Sequence, residues 1–176
     1  MSNWNKVFKP IVVLVVICIV VTGALAATNM VTAPVIAEAT IAAQNKARKE
    51  LLPDADSFTV IKDVQAENVS DISVADNGVG TVIIAHGKGY GGNVTVMVAF
   101  NSDDTIKQIK VTEQAETQGV GTNVTVKTDF WGQFQGKTAE KLTVGENIDK
   151  VSGATISSKA VTSAVNAAID AYNMIP

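Results

Sequence analysis

Asp149-Lys150-Val151-Ser152-Gly153-Ala154-Thr155-Ile156-Ser157-Ser158-Lys159-Ala160-Val161, near the end of the chain, is the most informative stretch of this sequence. Apolar residues continue beyond it at intervals of three and four, at Val161, Ala164, Val165, Ala168, Ile169 and Tyr172. This spacing is typical of a helix that buries one face. The pattern therefore predicts a C-terminal amphipathic helix with Thr155 at its start.

The start of such a helix favours an anion, because free backbone N–H groups and the positive end of the helix dipole collect there. Gly153 and Ala154 leave room for a ligand to approach the main chain, and Gly153 can adopt backbone angles closed to other residues. Thr155 thus presents a hydroxyl beside a site suited to a phosphate or a carboxylate. The plainer alternative is that Ser152 or Thr155 simply caps the last helix.

The middle of the chain has the alternation of short β-strands. The clearest strand is Val94 to Phe100, and others are predicted at Phe58 to Ile61, Thr81 to Ala85 and Ile106 to Val111, with Asp76-Asn77-Gly78 and Asn101 to Asp104 as turns. Strands in series followed by a terminal helix predict an α+β domain with an antiparallel sheet.

The N-terminal part is apolar. Ile11 to Ala27 gives seventeen residues without a charge, enough for roughly 26 Å of helix at about 1.5 Å per residue. We expect a retained anchor, and a cleaved signal ending at Ala24-Leu25-Ala26 is the alternative. Lys6 and Lys9 precede the apolar run, which favours a cytoplasmic N-terminus and an extracytoplasmic domain in either case.

A second helix is predicted between the anchor and the sheet. Pro34 fits a first helical turn, Lys46, Arg48 and Lys49 complement the dipole in the last turns, and Leu52-Pro53-Asp54 ends it. This helix is either a stalk or an ordinary first helix packed on the domain. The expected division is 1–10 cytoplasmic N-terminus, 11–31 transmembrane anchor, 32–52 helical stalk and 53–176 globular domain.

Composition excludes several classes of function. From Thr28 onward the chain has 12 Lys and Arg against 17 Asp and Glu, a charge of −5 that argues against a nucleic-acid partner. Cys18 is the only cysteine, so the chain has no intrachain disulfide, iron–sulfur cluster or thiolate zinc site. His86 is the only histidine, so no metal site with several histidines is expected, and a hydrolase with Thr155 as nucleophile would need His86 as its base.

The string Asp149-x-x-Ser152-Gly153-Ala154-Thr155 before a Ser-rich helix start resembles the covalent flavinylation motif of the FMN-binding domain family. That family includes the G subunit of Rnf complexes and the C subunit of the sodium-translocating NADH:quinone oxidoreductase. In it the Thr hydroxyl carries FMN through a phosphoester, attached by a flavin transferase that reads this motif. The resemblance implies that Thr155 carries FMN, that Ser152, Gly153 and Ala154 adjoin it, and that the transferase reads Asp149 and Ser152 to Thr155.

Two loops extend the resemblance. One is Gly87-Lys88-Gly89-Tyr90-Gly91-Gly92, which on composition alone is a hairpin loop, and the resemblance implies that Tyr90 packs near the cofactor. The other is Glu116-Thr117-Gln118-Gly119-Val120-Gly121, otherwise a solvated loop, where the family shows Glu-Thr-Pro-Gly-Leu-Gly. By the same resemblance Glu116 and Thr117 would hydrogen-bond the flavin's polar edge, while Gly119 and Gly121 would permit close approach. Gln118 in place of Pro is expected to loosen this loop.

A further match is Phe134-Gln135-Gly136-Lys137, although the aromatic residues of this region, Phe130, Trp131 and Phe134, are expected to be core. The membrane helix, the stalk and Leu-Leu-Pro-Asp-Ala at positions 51–55 resemble the Rnf G subunit in particular.

The resemblance implies an electron-transfer flavoprotein subunit of an Rnf-type ferredoxin:NAD oxidoreductase coupled to Na⁺ or H⁺ transport. The flavin would do the redox work, with no catalytic residue and no metal in this chain. Its expected partners are the other membrane subunits, the flavin transferase and membrane lipid. The alternatives are the C-type subunit of the quinone reductase, another FMN module on an extracellular electron path, or a non-redox membrane-anchored α+β binding domain.

Overall fold

The structure is a computed structural model that describes residues 8–61 and 64–175. Most of the expected cytoplasmic N-terminus, 1–10, lies outside the described residues. The chain divides into two compact units, one up to Asn45 and one from Lys46 onward.

The first element is one helix, α1, Lys9–Leu51, which ends just before Leu52-Pro53-Asp54 as expected. Pro34 lies inside this helix, and the expected second helix beginning at Pro34 is therefore not separate. A proline lacks the N–H that would bond to the carbonyl four residues back, but the favourable helix formers on both sides keep the helix continuous. Among the described residues α1 is the one helix long and apolar enough to cross a membrane.

Five strands follow α1 and form one antiparallel sheet in the order β1-β2-β3-β4-β5. Their bounds are Phe58–Val60 for β1, Val69–Ala75 for β2, Gly80–Lys88 for β3, Asn93–Asn101 for β4 and Ile106–Glu113 for β5. The two central strands pair from Gly80↔Asn101 to Lys88↔Asn93, which leaves the hairpin loop that composition predicts. The α+β class is confirmed.

Two short helices precede the long C-terminal one: α2, Asn123–Val126, and α3, Thr128–Gly132. The aromatic segment after them is core as expected, because Phe130 and Phe134 are buried and their rings meet edge to face at 5.5 Å. The last helix, α4, Thr155–Tyr172, begins at the predicted residue.

The sheet is covered on both faces. One face packs against α4, whose buried residues include Val161, Val165 and Ile169, in a cluster with Val96 and Val98 of β4. The other face packs against the last turns of α1 through Leu51 and Leu52, with Val82, Ile84 and Met97 beneath them. The end of α1 is therefore part of the domain core, whereas the sequence left open whether this helix is a free stalk.

A charged pair fixes that same junction. The Arg48 guanidinium donates a hydrogen bond to Asp71 Oδ1 at 2.8 Å, and the Ser73 hydroxyl donates to the same oxygen at 2.6 Å. Arg48 is only 6% exposed. Because Asp71 and Ser73 use sheet positions where apolar residues are usual, β2 lacks the alternation that predicts a strand, and sequence reasoning missed it.

Candidate functional site

Three separate segments meet at a cleft of about 390 Å³ beside the start of α4. They are the β3–β4 hairpin loop, the loop that follows β5, and the stretch from Gly153 into the first turn of α4. Other surface hollows have volumes of about 550 to 580 Å³ but collect none of the motif residues. The residues lining the cleft are Tyr90, Glu116, Thr117, Val120, Gly121, Gly153, Ala154, Thr155, Ile156 and Ser157.

Thr155 lies at the first position of α4 and is partly exposed in the cleft. The N-cap is Ala154, and no side chain caps this helix. The capping alternative for Ser152 and Thr155 is therefore wrong in this structure. Within the part of the chain that is described, the Thr155 hydroxyl makes no hydrogen bond, so it is available for chemistry.

Gly153 precedes this position with φ +78°, in the left-handed region that favours glycine, and a Cβ added there would meet open space. The glycine is thus required by the turn and also leaves the approach to Thr155 clear. Ser152 is exposed but does not line the cleft.

Glu116 lies at the centre of the site and is only 8% exposed. Its Oε1 accepts a hydrogen bond from the Gly91 N–H at 2.9 Å, and its Oε2 accepts a short hydrogen bond from the Ser157 hydroxyl. One carboxylate therefore joins all three segments of the cleft. We call this arrangement of Glu116, Gly91 and Ser157 the carboxylate clasp.

Glycines make room for this clasp. A Cβ on Gly121 would lie 2.7 Å from Glu116 Oε2 and 2.8 Å from Ser157 Oγ. A Cβ on Gly91 would lie 1.9 Å from the Ala115 carbonyl oxygen. These two positions cannot carry a larger side chain without moving the loop, which gives them a packing role beside the expected approach of a cofactor.

The Glu116 side chain remains ionised. Burial acts to raise the pKa of Glu116, but hydrogen bonds from the Ser157 hydroxyl and from the backbone N–H groups of Gly91 and Tyr90 together lower it below its ordinary value. The cleft therefore contains a fixed negative charge. Both carboxylate oxygens already have partners within the chain.

The loop after Glu116 has hydrogen bonds of its own. Gly119, with φ +77°, donates its N–H to Thr122 Oγ1 at 2.9 Å, and its carbonyl accepts from the Asn123 side chain at 3.0 Å. Gly119 is the one predicted residue of this loop that does not line the cleft. Tyr90, Val120 and Ile156 are exposed on the cleft wall and offer apolar surface.

The stretch before Thr155 is held by two residues that sequence reasoning missed. The Gln133 carboxamide accepts from the Asp149 N–H at 2.6 Å and donates to the Asp149 carbonyl at 3.3 Å. The buried Ser158 hydroxyl accepts from the Val151 N–H at 3.0 Å and donates to the Ala154 carbonyl at 2.9 Å. The Asp149 side chain itself is exposed.

Metal and hydrolase chemistry receive no support from the described residues. They contain no cluster of three or more His, Cys, Asp or Glu side chains that could hold a metal. His86 bonds to Thr95 Oγ1 at 3.1 Å and does not line the cleft, so it is not placed as a base for Thr155.

The chain matches two families: residues 89–170 match the FMN-binding domain, and residues 1–51 match the RnfG N-terminal region. The first match covers the β3–β4 loop, the loop after β5 and most of α4, and it therefore contains the whole cleft. The fold and the cleft thus define an FMN-binding domain behind an apolar helix.

Two relatives are similar over nearly their whole length. The chain is 34% identical to the G subunit of the proton-translocating ferredoxin:NAD(+) oxidoreductase complex of Clostridium ljungdahlii, covering 96% of this chain and 93% of that protein. It is 37% identical to the G subunit of the Na(+)-translocating complex of Acetobacterium woodii, covering 97% and 93%. The chain therefore belongs to the family of G subunits of ion-translocating ferredoxin:NAD(+) oxidoreductase (Rnf) complexes.

A solved structure is also similar, that of the NqrC-type component of the Na(+)-translocating NADH-quinone reductase from Parabacteroides distasonis. Its TM-score is 0.48 with 25% sequence identity, and the match covers 60% of each chain.

The cleft fits the FMN that the family implies. Its volume lies in the range of small-molecule sites. Its uncapped helix start suits a phosphate, and its walls at Tyr90, Val120 and Ile156 suit an aromatic ring system.

Proposed function

We propose that this chain carries FMN as a phosphoester on Thr155 and relays electrons within a membrane-bound ferredoxin:NAD oxidoreductase complex coupled to Na⁺ or H⁺ transport. One observation carries the attachment: Thr155 presents a hydroxyl without an internal hydrogen bond, in the cleft, at an uncapped helix start. The electron-transfer role rests on the Rnf family membership and the FMN-binding domain.

In this proposal the chain binds and orients the cofactor, and bound FMN supplies one- and two-electron redox chemistry. The first-turn N–H groups of α4 and Gly153 receive the phosphate end. Tyr90, Val120 and Ile156 shield the ring, Thr117 adjoins it, and the Glu116 carboxylate sets the local charge. No residue acts as acid, base or nucleophile in turnover, so the isolated subunit has no oxidoreductase activity of its own.

The proposed topology is a single pass. Residues 1–10 lie in the cytoplasm, 11–31 span the membrane, 32–52 continue the helix, and the domain of 53–176 lies on the extracytoplasmic side in contact with lipid and the other subunits. A Gln135→Cys variant in a Cys18→Ser background should react with a membrane-impermeant maleimide in intact cells. Labelling only after lysis would place the domain inside.

The attachment is tested by producing the chain with an active flavin transferase and measuring intact mass and in-gel flavin fluorescence. The wild type should gain FMN less one water. Thr155→Val removes the hydroxyl while keeping a β-branched shape and should gain nothing, and Thr155→Ser should be labelled. An unmodified wild type, with the transferase active on another substrate, would refute the covalent proposal.

The relay is tested in the assembled complex by ferredoxin-dependent NAD reduction. We expect Thr155→Val complexes to assemble with all subunits but to lose this activity. Full activity in an assembled complex without FMN on this subunit would exclude the chain from the electron path.

A further inference from the structure

The seven residues 149–155, here called the attachment turn, have an ordered backbone and displayed side chains. Gln133 bonds to both the N–H and the carbonyl of Asp149, as a neighbouring strand would. Ser158 bonds to both ends of the Val151 to Ala154 turn, which also closes through the Ala154 N–H and the Val151 carbonyl at 3.0 Å. The side chains of Asp149, Lys150 and Ser152 remain exposed.

Ordering a loop of this length in a protein complex costs conformational entropy for each residue that is fixed. A substrate loop whose backbone is already fixed avoids this cost on binding, and its exposed side chains can still be read. The attachment turn therefore has the properties of a pre-organised recognition sequence for another protein.

We propose that Gln133 is a positioning residue for flavin attachment: its paired hydrogen bonds to Asp149 hold the attachment turn in the conformation that the flavin transferase recognises. This inference rests on the proposed covalent attachment at Thr155. Ser158 supports the same turn from inside, but it is fully buried in α4 and also contributes to the core. Gln133 is half-buried and bonds to the turn from outside, so its loss frees Asp149 most selectively.

The reaction that Gln133 assists is a phosphoryl transfer without redox change. The Thr155 hydroxyl oxygen forms a bond to the FMN phosphorus of a flavin dinucleotide, and the phosphoanhydride bond of that donor breaks. The nucleoside monophosphate leaves, and the hydroxyl proton passes to a base of the transferase. Gln133 takes no part in these bonds.

The test uses the full-length chain in detergent, purified transferase and FAD as donor, with attachment followed by in-gel fluorescence. Gln133→Met keeps the side-chain length and removes both hydrogen bonds. Gln135→Met is the matched control, because Gln135 is exposed and its side chain makes no hydrogen bond among the described residues. We expect the KM for the chain to rise about tenfold in Gln133→Met with a smaller change in kcat, and to stay unchanged in Gln135→Met.

Two further readouts separate positioning from general destabilisation. The Asp149 amide should exchange slowly with deuterium in the wild type and faster in Gln133→Met, and FMN already installed should keep the same potential in both. Wild-type attachment kinetics in Gln133→Met, or a rapidly exchanging Asp149 amide in the wild type, would overturn the inference. Failure of the wild type itself to acquire FMN would instead refute the attachment proposal.

Discussion

The Ser157 hydroxyl donates a short hydrogen bond to Glu116 across 41 positions of sequence, and this contact joins the first turn of α4 to the loop after β5. It places an ionised, buried carboxylate against the residue two positions after the proposed attachment site. The cleft is thus shaped by a charge as well as by glycines, and the consequences of that charge can be measured.

Replacing Glu116 with Gln should raise the midpoint potential of the bound FMN, because a fixed negative charge disfavours an anionic reduced flavin. We expect roughly 50 mV, about 1 kcal/mol for one electron, the scale of a unit charge at an effective dielectric constant near 20. A redox titration of Glu116→Gln beside Glu140→Gln makes the measurement, since Glu140 is exposed and outside the cleft. Equal potentials in the two variants would remove Glu116 from the tuning of the flavin.

The same carboxylate should make stability depend on acid pH. The native pKa of Glu116 is lowered, so its stabilisation is fully present above the unfolded value, ordinarily 4.5, and is lost as the pH falls through the lower native value. Urea unfolding should show wild type more stable than Glu116→Gln by about 1–3 kcal/mol at neutral pH. The gap should narrow toward pH ~3, and a gap that stays constant on acidification would assign the difference to packing.

Gly121→Ala should disrupt the clasp, because the added methyl would meet Glu116 and Ser157 at 2.7 and 2.8 Å. We expect a loss of about 1–3 kcal/mol in the free energy of unfolding. Gly132→Ala is the control, since a Cβ there meets nothing within 4 Å, and its effect should stay within about 0.5 kcal/mol. Equal stability of the two variants, measured by urea unfolding, would show that the loop adjusts freely.

Local pattern was enough to predict the sheet and its last helix. Strand β4 alternates in apolar character over its whole length, and α4 repeats apolar residues at helical spacing, so each carries its own signal. Strand β2 carries no such signal, because Ser73 is buried beside Asp71 and the pair is balanced by Arg48 from a distant helix. Burial of polar groups by long-range partners is invisible to periodicity.

The site divides in the same way. A resemblance over short motifs selected Tyr90, Glu116 and Thr155, which the fold brings to one cleft. Ser157 and Gln133 were missed, because a serine in a helix or a glutamine near aromatics has no distinctive pattern. Their roles depend on contacts 41 and 16 positions away.

The Arg48–Asp71 pair should stabilise the junction between the end of α1 and the sheet. Asp71→Asn would leave the buried guanidinium without its counter-charge, which should cost about 2–4 kcal/mol of unfolding free energy. The matched variant is Asp54→Asn, because Asp54 has a side chain 74% exposed and lies 3.4 Å from Lys107, an arrangement expected to contribute 0 to about 1 kcal/mol. Both variants should be unfolded in urea as full-length chains in detergent, followed by far-ultraviolet circular dichroism. Added salt should weaken the Asp54 pair and leave the Asp71 pair nearly unchanged, because buried pairs are screened less. If Asp71→Asn costs no more than Asp54→Asn, the packing of Leu51 and Leu52 holds this junction without help from the charge.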